Sequence, residues 1–171
     1  MIKKRQVVIV GAGNVGASTA VCMINQGICD EIVLIDMNTE RAKGETLDMI
    51  HSIAFMNRNM EIKLGDYTDC KDADIVAICA GVAQKPGETR LDLLSRNAEV
   101  FSSIIEPVLS SGFHGIFLVA TNPVDIMTHI THTLSGFPAS RVIGTGTALD
   151  TARLRYLLGD YFQVDPRNMH A

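Results

Sequence analysis

The sequence is short of the features that mark several whole classes of protein. It has no cluster of basic residues interleaved with aromatics, and its 15 Lys and Arg against 19 Asp and Glu leave a net charge of −4, which argues against a nucleic-acid partner. Its 4 cysteines, Cys22, Cys29, Cys70 and Cys79, form no C-x-x-C pair. None stands at metal-ligand spacing from the 5 scattered histidines, so no metal site is expected. No apolar run approaches bilayer length, and the run behind Lys3-Lys4-Arg5 is broken at once by Gly11, Gly13 and Asn14. Neither a membrane partner nor a signal peptide is read, and the cytoplasm is the expected compartment. Solenoid-type repeats and low-complexity tracts are missing too. What is there is 171 residues, 47% of them hydrophobic, enough for one complete core and the start of a second unit.

The most informative stretch is Val7-Val8-Ile9-Val10 followed by Gly11-Ala12-Gly13-Asn14-Val15-Gly16. A short, continuous apolar run reads as a buried strand, and the glycines read as a phosphate-binding turn. Gly11 can take the sharp bend, Gly13 admits a pyrophosphate against the backbone, and Gly16 lets the next helix pack close to the strand. The free N–H groups of that helix would hold the anion. Asp36 closes the second apolar run, Ile32–Ile35, at the spacing where a carboxylate accepts hydrogen bonds from both ribose hydroxyls. The same carboxylate repels a 2′-phosphate, so NAD is favoured over NADP.

Along the chain, the spacing predicts a helix over Asn14–Gln26 stopped by Gly27, then the strand ending at Asp36. Asn38 caps a helix through about Ala54 whose end carries Leu47, Met49, Ile50, Ile53, Phe55 and Met56 on more than one face. One face meets another subunit, or else all are buried within the monomer. Glu61–Leu64 alternates as an outer third strand, followed by a polar turn through Asp72, and Ile75–Cys79 is the fourth strand. Val82–Thr89, with Pro86 and Gly87, reads as a loop with Arg90 upon it. A long helix from near Leu91 follows, kinked or interrupted at Pro107. Ile116–Val119 is the fifth strand, Asn122 marks the junction to a helix with Pro123 in its first turn, Val142-Ile143 is the sixth strand, and Ala148–Phe162 is a last helix. The pattern is α/β, a doubly wound, six-stranded parallel sheet of the dinucleotide-binding kind, with residues 1–145 as one domain and 146–171 as the start of another.

Aligning the strand ends brings Arg90, Asn122, Asp150 and Arg153 to the carboxyl edge of the sheet, where dinucleotide sites lie. Through GAGNVG, AGVAQKPGETR, TNPVD and GTGTALDTARLR, the sequence resembles the L-lactate and malate dehydrogenase superfamily along nearly its whole length, with the bacterial lactate branch as the nearest pattern. The resemblance implies hydride transfer between reduced nicotinamide and a 2-oxo acid. It makes Arg153 the grip on the substrate carboxylate, Arg90 the cation that stabilises charge on the carbonyl oxygen, Asn122 a donor to the same region, and Asp150 the group that orients a histidine. Gln84 occupies a position that is Arg in malate enzymes and neutral in lactate enzymes, which implies a monocarboxylic partner, pyruvate or L-lactate. Further cofactor contacts are implied at Val15, Arg41, Tyr67, Gly81, Val82, Ser103 and Asn122, beside Gly11, Gly13, Gly16 and Asp36. Arg155 and His170 match positions that bind fructose 1,6-bisphosphate across a subunit interface in allosteric members, and the intact enzyme is expected to be a homotetramer.

In that superfamily the acid/base histidine lies in a G-E-H-G-D motif, expected soon after Met169-His170-Ala171, where the sequence stops. The expectation is a nucleotide half that retains NAD binding without appreciable turnover. Another L-2-hydroxyacid dehydrogenase remains an alternative, as does a dinucleotide-binding module with no chemistry of its own. A pure sensor has no need of Arg90, Asn122, Asp150 and Arg153.

Overall fold

A computed structural model describes residues 4–56, 58–82, 87 and 89–170, with Arg90 and Leu91 described as backbone only. Six strands are paired in one sheet of order β3-β2-β1-β4-β5-β6, every pairing parallel. They are β1 (Gln6–Val10), β2 (Glu31–Ile35), β3 (Glu61–Leu64), β4 (Ile75–Ile78), β5 (Ile116–Val119) and β6 (Val142–Gly144). α1 (Asn14–Gln26) follows β1, α2 (Thr39–Ser52) follows β2, α3 (Arg90–Ser110) follows β4, α4 (Val124–Ser135) follows β5 and α5 (Ala148–Phe162) follows β6.

The continuous apolar runs have their cause in burial on both faces, as parallel sheets require. Successive side chains of a strand point to opposite faces. Val7 and Ile9 therefore join Ile32, Leu34 and Ile62 beneath Ala20 and Ile24 of α1 and Ala42 and Met49 of α2. Val8 and Val10 join Val33, Ile35, Val76 and Ile78 beneath Phe101, Ile105 and Val108 of α3 and Met127 of α4. Because β1 lies between β2 and β4, the chain's winding reverses there, and the crevice at the carboxyl ends of β1 and β4 is the switch point at which open α/β sheets bind ligands.

Several element ends differ from the sequence expectation, each for a local reason. α3 begins at Arg90, because Thr89 caps it: the Thr89 hydroxyl accepts from the Asp92 N–H at 3.2 Å, and the Asp92 carboxylate accepts from the Thr89 N–H at 3.2 Å. This reciprocal box places the Arg90 backbone on the helix and not on the loop. Pro107 does not interrupt α3, which runs on to Ser110. Pro123 precedes the first turn of α4, extended at φ −76° and ψ 116°, and the Asn122–Pro123 peptide is cis. The polar turn is a 3-10 run over Tyr67–Asp72, tied by Asp66 and Asp69 and anchored by buried Cys70. α2 ends at Ser52 and passes into a 3-10 turn over Ile53–Phe55. Its apolar residues divide: Met49 is buried, whereas Leu47, Ile50 and Phe55 are exposed. β4 ends at Ile78, although the Cys79 N–H still donates to Val10.

α5 behaves differently from α1–α4. It packs against a 3-10 turn over Pro166–Asn168, and Leu149, Tyr156, Leu157, Tyr161 and Phe162 all remain exposed. No helix among the described residues is long and apolar enough to cross a membrane, and no described group of His, Cys, Asp and Glu is placed to hold a metal ion.

The two-sided core predicts an asymmetry between phenylalanines. Phe101→Ala, at a fully buried position, should cost about 3–5 kcal/mol, whereas Phe55→Ala, at a position 88% exposed, should stay within about 0.5 kcal/mol. Urea denaturation of both variants measures the contrast.

Candidate dinucleotide site

The turn after β1 is shaped by its three glycines, each in a different way. Gly11 has φ +104°, and a Cβ there would stand 2.5 Å from the Ala80 nitrogen, so only glycine fits between the ends of β1 and β4. A Cβ at Gly16 would overlap the Gly11 carbonyl oxygen and press on Ile9, which is what brings α1 close against its strand. Over Gly13 there is open space, with no atom beyond its chain neighbours within 4 Å of where its Cβ would be. The first turn of α1 has no side-chain cap and no acidic residue, although α2 is capped by Asn38 and α3 by Thr89. Uncapped N–H groups facing open space at the positive end of a helix fit a phosphate.

Asp36 joins this turn to the neighbouring strand. Its Oδ2 accepts the Ala12 N–H at 2.7 Å, its Oδ1 accepts the Asn38 N–H at 2.8 Å, and the Gly11 N–H donates to the Ile35 carbonyl at 2.7 Å. Both carboxylate oxygens are thus held by backbone, each with a lone pair left for a ribose hydroxyl. Arg41, on the first turn of α2, donates to the Asn14 Oδ1 at 3.3 Å across the same opening. Val15 is exposed beside it. Tyr67 sits half-buried at the start of the 3-10 run, and its hydroxyl is pushed above the usual phenol range by burial, with the charges of Cys70 and Asp36 adding to the shift. These residues fit the adenosine diphosphate half of a dinucleotide, lying over β1 and β2.

On the other side of β1, Gly81 is exposed, and Val82 donates its N–H to Asn97 Oδ1 at 2.9 Å. Thr121 donates its hydroxyl to the Ala80 carbonyl at 2.7 Å. Burial pushes the neighbouring Cys79 thiol up to about 11. Asn122 follows β5 and is exposed. Ser103 lies six residues beyond Asn97, about 9 Å further along α3, exposed and bonded to the Val100 carbonyl. Asp150 and Arg153 are both exposed on α5 and pair with each other at 3.3 Å. Among the described residues no hydrogen bond or ion pair links either of them to Asn122. Arg155 donates to the Arg167 carbonyl at 3.3 Å, which ties it to the segment carrying His170. Gln84 and the Arg90 side chain lie outside the described residues.

Asn97 and Thr121 escaped the sequence reading. Asn97 is only 1% exposed and stands on the apolar stripe formed by Leu94, Phe101 and Ile105, and an amide in that stripe is the signal that could have found it.

Residues 5–144 match the family described as lactate/malate dehydrogenase, NAD binding domain. The chain belongs to that family. Its cofactor is NAD. Among relatives of this family, the chain is 59% identical over 166 residues to an L-lactate dehydrogenase of Geobacillus kaustophilus, covering 97% of this chain and 52% of that protein. It is 56% identical over 168 residues to one of Halalkalibacterium halodurans, covering 98% and 54%. The chain thus spans about half the length of the curated relatives it matches. Among solved structures, the minor L-lactate dehydrogenase of Enterococcus mundtii in its ligands-bound form superposes with a TM-score of 0.96 at 52% identity, covering 98% of this chain and 54% of that one. The ligands-unbound form gives 0.88 at 49% identity, covering 99% and 53%.

Gly13 and Gly16 should respond oppositely to alanine. Gly13→Ala leaves the melting temperature nearly unchanged but weakens NADH binding by about tenfold or more, because the methyl group takes the space left for the pyrophosphate. Gly16→Ala costs about 1–3 kcal/mol of stability through overpacking. Calorimetric melting and NADH titration of the two variants read both effects.

Proposed function

We propose that this chain is the nucleotide-binding part of an NAD-dependent L-lactate dehydrogenase that interconverts pyruvate and L-lactate. The observation that carries the reading is the bond from the Ala12 N–H to Asp36, which makes the phosphate turn and the ribose-binding acid one unit. Close identity to L-lactate dehydrogenases supports the choice of reaction. Residues 1–145 form the nucleotide domain, and 146–171 belong with the substrate-binding part, a division supported by the exposed apolar surface of α5.

Bound NADH supplies the hydride at its nicotinamide ring. Gly11, Gly13, Val15 and Gly16 receive the pyrophosphate, Asp36 the adenosine ribose, and Arg41 and Tyr67 flank it. Gly81, Val82, Ser103 and Asn122 serve the rest of the cofactor. Arg153 takes the substrate carboxylate in a two-point contact, and its exposed pairing with Asp150 is weak enough to exchange for that stronger partner. Asn122 donates to the carbonyl oxygen, and Arg90 stabilises the negative charge that develops there. Asp150 orients the proton-donating histidine. Gln84, uncharged, leaves no counter-charge for a second carboxylate, which favours a monocarboxylic acid. Arg155 and His170 bind fructose 1,6-bisphosphate at a subunit contact, in a cytoplasmic homotetramer of glycolysis that uses the exposed faces of α2 and α5.

The direct test is titration of the chain with NADH and NADPH. NADH should bind at least about tenfold more tightly, and Asp36→Ser should narrow that gap by relieving repulsion of the 2′-phosphate. Equal affinities in the unsubstituted chain contradict the reading. In a full-length dehydrogenase carrying this sequence, Gln84→Arg should raise kcat/KM for oxaloacetate relative to pyruvate, and an unchanged preference removes Gln84 from substrate selection.

A further inference from the structure

Asn97 is a deeply buried polar side chain on α3, 1% exposed in the apolar surface between that helix and the strands. A buried amide there costs free energy unless it is bonded, so its partner shows what it is for. Its Oδ1 does not serve its own helix. It accepts the N–H of Val82 at 2.9 Å, just past the end of β4.

From the opposite side, Thr121 closes on the same short segment. Its hydroxyl donates to the Ala80 carbonyl at 2.7 Å and lies 3.3 Å from the Ile78 carbonyl. Between the two, Gly81 has no room to grow: a Cβ there would stand 2.7 Å from Thr121 Cγ2 and 3.2 Å from Asn97 Oδ1. Gly81 is nevertheless exposed on its outer side. The backbone at Ala80–Val82 is therefore clamped from behind by α3 and β5 while its open face looks out of the crevice.

The position of that face matters because of the strand order. The phosphate turn follows β1 and Asp36 follows β2, so the adenosine half of a dinucleotide lies on the β2 side and its other nucleotide crosses to β4 and β5. We propose that Asn97, with Thr121, is a positioning residue for the nicotinamide half of the cofactor, holding the Gly81–Val82 backbone where that half must lie against it. The inference rests on the dinucleotide reading above and adds to it a residue that touches no ligand itself.

Such a clamp makes a prediction that a merely structural amide does not. NADH spans both halves of the site, whereas ADP occupies only the half built by the glycine turn and Asp36. Asn97→Ala should weaken NADH binding about tenfold and change ADP binding by less than about twofold, since a lost buried hydrogen bond of this kind is felt only where the freed backbone meets ligand. Asn97→Asp keeps the oxygen acceptor and should recover NADH affinity to within about threefold of the unsubstituted chain. Gly81→Ala, whose methyl group would press on both Thr121 and Asn97 while leaving the Asn97 side chain unsubstituted, should reproduce the selective loss.

Isothermal titration of the chain and its three variants with NADH and with ADP decides the matter, and the ratio of the two affinities is independent of any unfolded fraction. Selective loss in Asn97→Ala and Gly81→Ala with recovery in Asn97→Asp supports the proposal. Equal weakening of both ligands, no weakening of either, or no recovery in Asn97→Asp overturns it. Failure of the unsubstituted chain to bind either ligand overturns the dinucleotide reading instead.

Discussion

The site depends first on one hydrogen bond, from the Ala12 N–H to the Asp36 carboxylate. It connects the ends of two neighbouring parallel strands, and its two halves are separated by all of α1 and β2 in the chain. With Asn38 donating to the other oxygen, the carboxylate is fixed in position before any ligand arrives. Pre-orientation of this kind lowers what binding must spend on ordering. A charge held so firmly is also an effective discriminator, because it cannot swing away from a ligand phosphate.

The two edges of the sheet are built to opposite ends. At the amino edge charge is matched by charge: Lys63 stands 3.0 Å from both Glu31 and Asp69, Arg5 pairs with Asp30 at 3.0 Å, and Lys4 reaches Glu61. Hydrogen bonds to Asp69 and Glu31 hold the Lys63 ammonium up to about 12, and hydrogen bonds from Arg5 hold Asp30 down to about 2. The carboxyl edge is more open among the described residues. An uncapped helix start, an exposed Gly81, an exposed Asn122 and a loosely paired Arg153 all lie in segments that leave that edge.

Much of this was legible in the sequence where the cause was local. Apolar runs long enough for a two-sided sheet located the strands, Gly27 stopped α1 and Asn38 started α2 through a bond to the Arg41 N–H. The spacing of the glycines carried the bend at Gly11 and the close helix approach at Gly16, and the backbone has both features, with open space over Gly13. Where the reading slipped, a different signal won. Thr89 and Asp92 cap each other and draw Arg90 onto the helix, a signal carried at three-residue spacing that outweighs the loop-forming residues before it. Pro123 suited a first helical turn by its φ, yet its ψ is extended. An amide on an apolar stripe marks Asn97 in the sequence, but what Asn97 and Thr121 hold is not legible there: the backbone they bond lies far from them in sequence, and only the folded sheet brings it within reach.

The measurement that bears most directly on the account is a titration of ADP into the 15N-labelled chain, followed by amide shifts. The account predicts that Ala12, Asn14, Val15, Gly16 and Asn38 move together with a single dissociation constant, while amides of the amino edge, such as Arg5 and Glu61, stay still. Shifts centred on the amino edge, or separate binding curves for the glycine turn and Asn38, would contradict it.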